Sequence, residues 1–191
     1  MNILIHDYCG HPFTFDLSRE LARRGNKIWY IYTSASGGPK ADFGLHHDKL
    51  NVIDINQLPI QKMNLFKRWF QEKEYGKKIA FEIIRLHPDV VLSAKTPLEA
   101  QKCILEACLG LNIKMVHWLQ DIISIAVQRL LRKRIVLGGG LVGLYFERIE
   151  KRILHKCSHI ISIAPEFNQQ LNIWGIPESK ITVIPNWAPI N

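Results

Sequence analysis

The sequence predicts an α/β protein, a doubly wound parallel sheet of the Rossmann-like type. Short runs rich in apolar and β-branched residues alternate with longer segments of helical periodicity, and runs such as Val90–Leu92 lack polar alternation. A strand without polar alternation is covered on both faces, as in parallel sheets built from βαβ units. The composition agrees, because 47% of the 191 residues are hydrophobic, which is ample for a packed core.

Seven strands and five helices are predicted along the chain. The strands are Asn2–His6, Lys27–Thr33, Val52–Ile55, Asp89–Ser93, Lys114–Leu119, His159–Ala164 and Ile181–Ile184. The helices are Phe13–Arg24, Leu65–Leu86, Leu98–Leu109, Leu144–His155 and Glu166–Trp174. Gly25, Gly110 and Gly175 follow three of these helices, at the position where glycine readily ends a helix.

One domain is expected over residues 1–185, followed by the start of an interdomain linker at residues 186–191. Pro185 and Pro189 favour an extended conformation in this last segment, and a second domain is expected beyond it. The four cysteines contain no CxxC pair, which predicts free thiols in a reducing cytoplasm and no metal site. The longest uncharged stretch, Ile135–Phe146, is too short for a membrane-spanning helix.

Ligands of such sheets bind outside the carboxyl ends of the strands, so the loops that follow the strands hold the candidate site. Gly10 and His11 follow the first strand, where a glycine and a helix N-terminus can accommodate a phosphate, although a simple turn is the alternative. Asp7 either faces the ligand or caps the turn. Lys95 is predicted to pair with an anionic substrate group, and Thr96 is a binding candidate whose alternative role is to cap the next helix.

The densest polar cluster follows the fifth strand. Gln120 and Asp121 are the preferred substrate ligands there, and His117 is either a substrate contact or a satisfied core histidine. Glu166, at the start of the last helix, is a further candidate for substrate binding. His11 and Asp121 are the candidate catalytic residues, an imidazole and a carboxylate at the carboxyl ends of strands.

The net charge of +8 and the pI of about 9.4 imply an anionic partner. Two basic segments that also contain apolar residues suit an anionic lipid surface, and nucleic acid is less favoured because no recognition helix accompanies the charge. The alternative is solvated helix faces over a buried core. The residues assigned to this membrane surface are Lys67, Arg68, Trp69, Arg129, Arg132, Lys133 and Arg134.

A G-x-G-x-x-G pattern occurs at Gly138–Gly143, with Glu166 downstream, and would be a dinucleotide-binding fingerprint if a strand preceded it. The supposed strand, Ile135–Leu137, has only three residues and directly follows the basic run Arg129–Arg134. It also comes after several strands of an established sheet. The dinucleotide hypothesis is therefore the least favoured.

Six segments carry a resemblance to a known family. They are Asn2–Gly10, Leu17–Asn26, His87–Val91, Trp118–Ile122, Ile161–Ala164 and Gly175–Trp187, of which the last resembles a GVPxxKIxVIPNWxD junction and is the most specific. Over essentially its whole length the chain resembles the N-terminal half of a GT-B glycosyltransferase of family GT4, of the bacterial capsule, O-antigen or exopolysaccharide branch.

The resemblance implies retaining sugar transfer from a nucleotide-sugar, without a metal, to a glycan acceptor that is often lipid-linked. The N-terminal domain would bind the acceptor and a C-terminal domain the nucleotide, so no cofactor is expected on this domain. The family's glycine-rich first loop, near the donor diphosphate, corresponds to Gly10, a single glycine where many members have two.

The family's E-x7-E donor site belongs to the C-terminal domain, and the chain alone is therefore expected to be inactive. Its expected partners are an acceptor, an anionic membrane surface and a donor-binding domain or separate chain. The expected location is the cytoplasm, at the inner face of the cell membrane. The alternative is a naturally short, non-catalytic subunit of a split glycosyltransferase that anchors to the membrane and binds the acceptor.

Overall fold

The computed structural model describes residues 1–37, 39–44, 47–55, 60, 65–134 and 139–187, with the backbone alone at 65–66, 130–134 and 139. This part is a seven-stranded parallel sheet flanked by helices, which confirms the doubly wound α/β prediction. The strands are β1 Asn2–Asp7, β2 Lys27–Tyr32, β3 Leu50–Asp54, β4 Val90–Ala94, β5 Lys114–Leu119, β6 His159–Ser162 and β7 Ile181–Val183. The helices are α1 Pro12–Arg23, α2 Leu65–Leu86, α3 Leu98–Gly110, α4 Ile123–Arg134, α5 Gly139–Lys156 and α6 Glu166–Ile173.

The strand order is β3-β2-β1-β4-β5-β6-β7, and every neighbouring pair is parallel. The chain therefore builds outward from β1 in one direction, returns to β1, and builds outward in the other direction from β4. The reversal lies between β1 and β4. Loops that leave the carboxyl ends of these two strands diverge there and open a crevice.

The sheet separates two apolar clusters. On one face α1 packs Phe15 against Ile5 and Tyr30. On the other face α2, α3, α5 and α6 pack over a larger cluster that includes Ile79 and Ile104. Fully burying a large apolar side chain stabilises the fold by roughly 1.5–3 kcal/mol, and the strands read as near-continuous apolar runs because both of their faces are covered.

Helices α2 and α3 approach each other closely at Gly76. A Cβ atom on Gly76 would lie 2.6 Å from Ala100 Cα and 3.0 Å from Ala100 O, which no real side chain tolerates. The missing side chain of Gly76 thus sets the distance between two helices that cover the larger cluster.

The region before β6 differs from the prediction. Helix α4 was not predicted, and α5 begins at Gly139 instead of Leu144. Within α5, a Cβ on Gly143 would lie 2.6 Å from Gln128 Cγ of α4, so this glycine allows the two helices to pack tightly.

The dinucleotide fingerprint is wrong, because Gly139, Gly140 and Gly143 are helical, and Gly143 allows α5 to pack against α4. Such a fingerprint needs its glycines in a strand-to-helix turn. The supposed strand Ile135–Leu137 and Gly138 lie outside the described residues.

Candidate functional site

The predicted site residues lie along the carboxyl edge of the sheet. Asp7 pairs in register with Ala94, and Ala94 with Trp118, so the loops after β1, β4 and β5 leave the sheet side by side. Neighbouring strands are about 4.8 Å apart, which places the loops after β1 and β5 about 10 Å from each other. This edge brings His11, Lys95 and Asp121 to one side of the molecule.

Asp7 orients His11. The buried carboxylate of Asp7 accepts hydrogen bonds from the backbone N–H of His11 at 3.1 Å, from His11 Nδ1 at 2.9 Å and from the Thr14 hydroxyl at 2.6 Å. It also accepts the backbone N–H of Cys9 at 3.0 Å, so it caps the turn as well. Burial alone would raise the pKa of Asp7, but the hydrogen bonds from His11 and Thr14 hold that pKa below its usual value.

A carboxylate can only accept, so His11 Nδ1 donates to Asp7, and Nε2 is the ring nitrogen left for a further partner. Nε2 bonds to none of the residues that the structure describes. His11 stands at the N-cap of α1 and stacks on Phe13 with 5.5 Å between ring centroids. Asp7 therefore caps the turn, which was one of its two predicted roles, and it also orients the buried imidazole of His11.

Gly10 is buried and adopts a φ of +73°, a conformation that favours glycine. A Cβ here would lie 2.9 Å from the Tyr32 ring and 3.2 Å from the Phe43 ring. The Gly10 carbonyl accepts the backbone N–H of Ala41 at 2.9 Å. This position favours the turn-glycine alternative, and a diphosphate contact at Gly10 stays a prediction.

Lys40 was not singled out by the sequence, although it ties the loop after β2 to the first loop. Its ammonium donates to the carbonyl oxygens of Ser36 at 2.9 Å, Thr33 at 3.2 Å and Cys9 at 3.4 Å. No local pattern could have revealed the contact with the first loop, because Cys9 is 31 residues from Lys40 in sequence. From sequence alone, an isolated lysine in a polar loop is predicted to be a solvent-exposed cation.

Lys95 leaves the end of β4 with a φ of +32° and is exposed. Lysine pays a conformational cost there, and such strain is common at functional sites. Its ammonium is close enough to the first loop to affect Cys9. Burial and the Asp7 carboxylate raise the pKa of the Cys9 thiol, and the positive charges of Lys95 and Lys40 lower that pKa. The structure thus places a cation beside the loop that holds His11.

The capping role of Thr96 is wrong. Helix α3 begins at Leu98 with Pro97 as its N-cap and without a side-chain cap. The Thr96 hydroxyl instead donates to Ala94 O at 2.7 Å, within the turn that carries Lys95. Proline at the cap has no side-chain acceptor, so the first turn of α3 lacks the bond that Thr96 was expected to supply.

A buried polar row crosses the sheet beneath this edge, with His6, Ser93 and His117 in register on β1, β4 and β5. Ser93 donates to Gln101 Oε1 at 2.7 Å and Thr96 donates to Ala94, so both hydroxyl protons are committed. His6 Nδ1 must therefore donate to these two hydroxyl oxygens, at 3.2 and 3.1 Å.

Two further bonds complete the row. His6 Nε2 accepts from the Tyr75 hydroxyl at 2.8 Å, and Gln101 Nε2 donates to His117 Nδ1. Burial lowers the pKa of His6 and of His117 to about 4, so both rings are neutral near pH 7. This arrangement favours the core-histidine alternative for His117.

In the loop after β5 the side chain of Asp121 is exposed to solvent, whereas polar atoms of its neighbours are buried. Asp121 is exposed, whereas Gln120 Nε2 and the indole N–H of Trp118 are buried without a partner among the described residues. Glu150 of α5 accepts the backbone N–H groups of Ile123 and Ser124 at 2.8 and 2.9 Å. Asp121 is thus the carboxylate of this loop that a ligand can reach, and α4 starts from a fixed point beside it.

Trp187, the last residue of the Gly175–Trp187 motif, lies over the same edge. Its ring centroid is 5.8 Å from that of Trp118 and 5.9 Å from that of Phe13. Phe13 also stacks on His11, so the segment after β7 is in aromatic contact with the start of α1 and the end of β5. Its position depends on contacts across the whole sheet, which no local pattern reports.

The other candidates are on helices α2, α4 and α6. Glu166 is exposed at the first position of α6. Arg68 forms an ion pair with the buried Glu72 at 2.6 Å, so its charge is partly neutralised within the fold. Lys67 and Arg129 are exposed and Trp69 is half-buried. Arg132, Lys133 and Arg134 extend α4, but their side chains are not described.

The described residues contain no group of three or more His, Cys, Asp or Glu side chains that could hold a metal ion. Within the same part of the chain, every helix is too short or too polar to traverse a bilayer. What the carboxyl edge offers is an oriented imidazole acceptor, an exposed cation and an exposed carboxylate. Together these can bind hydroxyl groups and an anionic group of one ligand.

A family model described as Glycosyltransferase Family 4 matches residues 12–190. No curated protein matches the chain in sequence. Among solved structures, sucrose-phosphate synthase from Thermosynechococcus elongatus is similar, with a TM-score of 0.65 and 12% identity over 96% of this chain and 47% of that one.

Two further similar structures have TM-scores of 0.58. UDP-GlcNAc 2-epimerase from Neisseria meningitidis bound to UDP-GlcNAc has 14% identity over 97% of this chain and 46% of that one. UGT73P12 from Glycyrrhiza uralensis, complexed with glycyrrhetinic acid 3-O-monoglucuronide, has 9% identity over 98% of this chain and 48% of that one. At these identities the similarity shows the GT-B type of Rossmann-like fold, and the chain spans about half the length of each structure.

Proposed function

Because the chain belongs to Glycosyltransferase Family 4, we propose that it binds the acceptor in sugar transfer from a nucleotide-sugar to a glycan acceptor. The observation that carries this proposal is the Asp7–His11 pair, which orients an imidazole at the carboxyl end of β1, beside the reversal of strand order between β1 and β4. A glycosyltransferase must hold one acceptor hydroxyl against the anomeric carbon, and a fixed hydrogen-bond acceptor at a crevice suits that task.

In the proposed reaction the acceptor oxygen bonds to the anomeric carbon, with retention of its configuration. The bond from that carbon to the nucleotide diphosphate breaks, and the acceptor hydroxyl gives its proton to His11 Nε2. His11 Nε2 accepts the hydrogen bond from this hydroxyl, and Asp7 keeps the ring in the tautomer that leaves Nε2 open. Asp121, exposed two strands away, binds further hydroxyl groups of the acceptor.

Lys95 is the proposed contact for an anionic group, either the phosphate of a lipid-linked acceptor or the diphosphate of the donor. It is exposed, and it follows β4, where the strand order reverses. Its backbone has a φ of +32°, a strained conformation that is common at functional sites. Neither a metal nor a cofactor is assigned to this chain. The donor nucleotide is assigned to a second domain or a separate chain, as the half-length coverage of the similar structures suggests.

We place the acceptor in cell-surface polysaccharide synthesis, on the strength of the bacterial capsule and O-antigen type of the sequence motifs. The first test is the intact mass of the native gene product compared with the 22.1 kDa of this chain. A mass about twice as large would identify the acceptor half of a single-chain enzyme. An equal mass would move the search to a partner chain, purified with it.

The second test uses that native protein with radiolabelled UDP- and GDP-sugars and a lipid extract of its own cells as acceptor. Label should move into the lipid fraction with the wild type and much less with His11→Ala. The matched control is His159→Gln, a histidine on β6 that is bonded to Thr182 away from the crevice. Transfer that is absent with every donor, or equal in His11→Ala, would refute the proposal.

A further inference from the structure

Two surface segments that are far apart in sequence meet at one place. The side chain of Trp69, in the second turn of α2, lies beside the hydroxyl of Tyr145 on α5. That hydroxyl donates to Glu99 Oε1, at the start of α3, at 2.6 Å. Because α2 and α3 both begin at the carboxyl edge of the sheet, this contact lies at the same edge as the candidate site.

The α5 side of this contact is an exposed apolar stripe. Leu141, Leu144, Tyr145 and Arg148 are spaced at i, i+3, i+4 and i+7, which places them on one helix face. The first three are 75%, 51% and 40% exposed. On α2, Phe70 is 60% exposed, with its ring 4.9 Å from that of Trp69. Isolated exposed apolar residues are ordinary, but an aromatic and aliphatic group gathered from two helices is an interaction surface.

Two basic residues lie farther along the helices than Leu141, at the apolar end of the stripe. Arg148 is seven residues after Leu141, about 10 Å along the helix axis. Arg129 of α4 is level with the middle of the stripe, because its neighbour Gln128 bonds to Glu147 at 2.7 Å and packs against Gly143. Both arginines are exposed and form no ion pair with any described residue.

This spacing matches the layers of a lipid surface. Apolar side chains of an interfacial helix enter about 5–10 Å below the headgroups, where basic side chains meet anionic phosphates. Tryptophan and tyrosine prefer the boundary between the two layers. Helices α4 and α5 pack against each other, and Glu150 of α5 fixes the start of α4.

We propose that Trp69, Phe70, Leu141, Leu144, Tyr145, Arg129 and Arg148 form a docking surface for an anionic lipid bilayer. Leu141 and Leu144 enter the apolar boundary, and the two arginines contact lipid phosphates. The proposal deepens the proposed function and rests on it in one respect: a bilayer held at this edge would present a lipid-linked acceptor to the loops that carry His11 and Lys95. Of the basic residues assigned from sequence, Arg129 belongs to this surface, and Arg68 is paired with Glu72.

The test is co-sedimentation of the 191-residue chain with vesicles of phosphatidylglycerol and phosphatidylcholine in equal parts, and with pure phosphatidylcholine vesicles. We expect binding to the anionic vesicles that weakens between about 0.1 M and 1 M salt, as the Debye length falls from roughly 10 Å to 3 Å. Each basic residue at a membrane surface contributes roughly fivefold to binding, so Arg129→Gln with Arg148→Gln should weaken it about 25-fold.

Matched controls separate this surface from overall charge and hydrophobicity. Lys114→Gln with Lys156→Gln removes the same charge at the amino edge of the sheet, where both lysines are exposed. Leu141→Ser with Leu144→Ser should weaken binding at least tenfold, since a buried leucine side chain contributes roughly 1.5–3 kcal/mol. Ile173→Ser, at a side chain that is 71% exposed on α6, should leave binding unchanged.

No binding, equal binding to both vesicle types, or equal loss in the control variants would overturn the docking surface. Self-association that disappears in Leu141→Ser with Leu144→Ser would overturn it too, by assigning the surface to a second copy. Transfer by the native protein to a water-soluble glycan is measured in parallel. If that transfer persists while vesicle binding fails, the docking proposal alone is wrong; normal vesicle binding with His11-independent transfer would refute the proposed function instead.

Discussion

His11 donates twice to Asp7, once from its backbone N–H at 3.1 Å and once from Nδ1 at 2.9 Å. The backbone bond fixes where the residue lies, and the side-chain bond fixes which nitrogen stays open. Both bonds end on a fully buried carboxylate, where the low local dielectric strengthens them. The ring is therefore preorganised before any ligand arrives.

Replacing His11 should lower the rate of transfer without unfolding the chain. We expect His11→Ala to reduce kcat/KM in the native protein by roughly 10- to 100-fold, because the acceptor hydroxyl loses its orienting partner. Asp7→Asn should act in the same direction, since an amide can present N–H to Nδ1 and reverse the tautomer. Steady-state kinetics with labelled nucleotide-sugar measures both effects, and rates near those of the wild type would place the acceptor elsewhere.

Asp121→Asn should reduce transfer while leaving stability unchanged. The side chain is exposed, so its removal disturbs no buried contact, and surface substitutions usually change stability by less than about 0.5 kcal/mol. The comparison variant is Asp48→Asn, another exposed aspartate. Urea unfolding should give the same midpoint for all three proteins, and transfer should fall in Asp121→Asn alone. Equal transfer in the two variants would remove Asp121 from the site.

Two substitutions of Lys95 separate its charge from its backbone strain. Both Lys95→Ala and Lys95→Gly remove the ammonium and should weaken transfer. Only glycine tolerates the φ of +32° without strain, so Lys95→Gly should be more stable than Lys95→Ala by about 0.5–1 kcal/mol. Urea unfolding measures the difference. Glycine less stable than alanine here would mean that the turn after β4 carries no strain.

The buried histidines make stability depend on pH. The pKa of His117 is about 4 in the folded chain and near 6.5 when unfolded, so the unfolded chain binds more protons between these values. The contribution of His117 is therefore lost as the pH falls, by about 2 kcal/mol between pH 6.5 and 5. Burial raises the pKa of Glu72 and Glu150, which acts in the opposite direction, so the wild type alone does not isolate the effect.

Comparing variants isolates it. Urea unfolding at pH 6.5 and at pH 5 should show that His117→Gln loses about 2 kcal/mol less than the wild type over this interval. His159→Gln, at a histidine with a partly exposed ring on β6, should follow the wild type. An equal loss in wild type and His117→Gln would show that His117 is not kept neutral by burial.

The contact between α2 and α3 depends on one missing methyl group. Gly76→Ala should destabilise the fold by about 1–3 kcal/mol, because the new Cβ meets the Ala100 backbone at 2.6 Å and the helices must separate. This outweighs the gain of nearly 1 kcal/mol in helix propensity. Gly110→Ala, at the end of α3 with nothing within 4 Å of the new Cβ, is the control and should be neutral or slightly stabilising. A more stable Gly76→Ala would contradict the close approach.

The strands could be predicted from the sequence because each one is a short run of apolar and β-branched residues. All seven predicted strands are present, with boundaries that differ by at most two residues. It missed α4 because Ile123–Arg134 ends in a basic run, which reads as a surface segment when its partner α5 is unknown. The apolar side of α4 is meaningful only against Gln128, Gly143 and Glu147, where the two helices pack.

By itself, the sequence determined the layered α/β fold and which loops leave the carboxyl ends of the strands, since both follow from periodicity over a few residues. Only the tertiary structure decided that Asp7 aims His11, that Phe43 closes over Gly10, that Trp187 reaches Trp118 and that Trp69 meets Tyr145. The last three contacts join residues more than 30 positions apart. Their existence depends on how helices and loops pack across the whole sheet, and packing distances leave no trace in a local pattern of residue types.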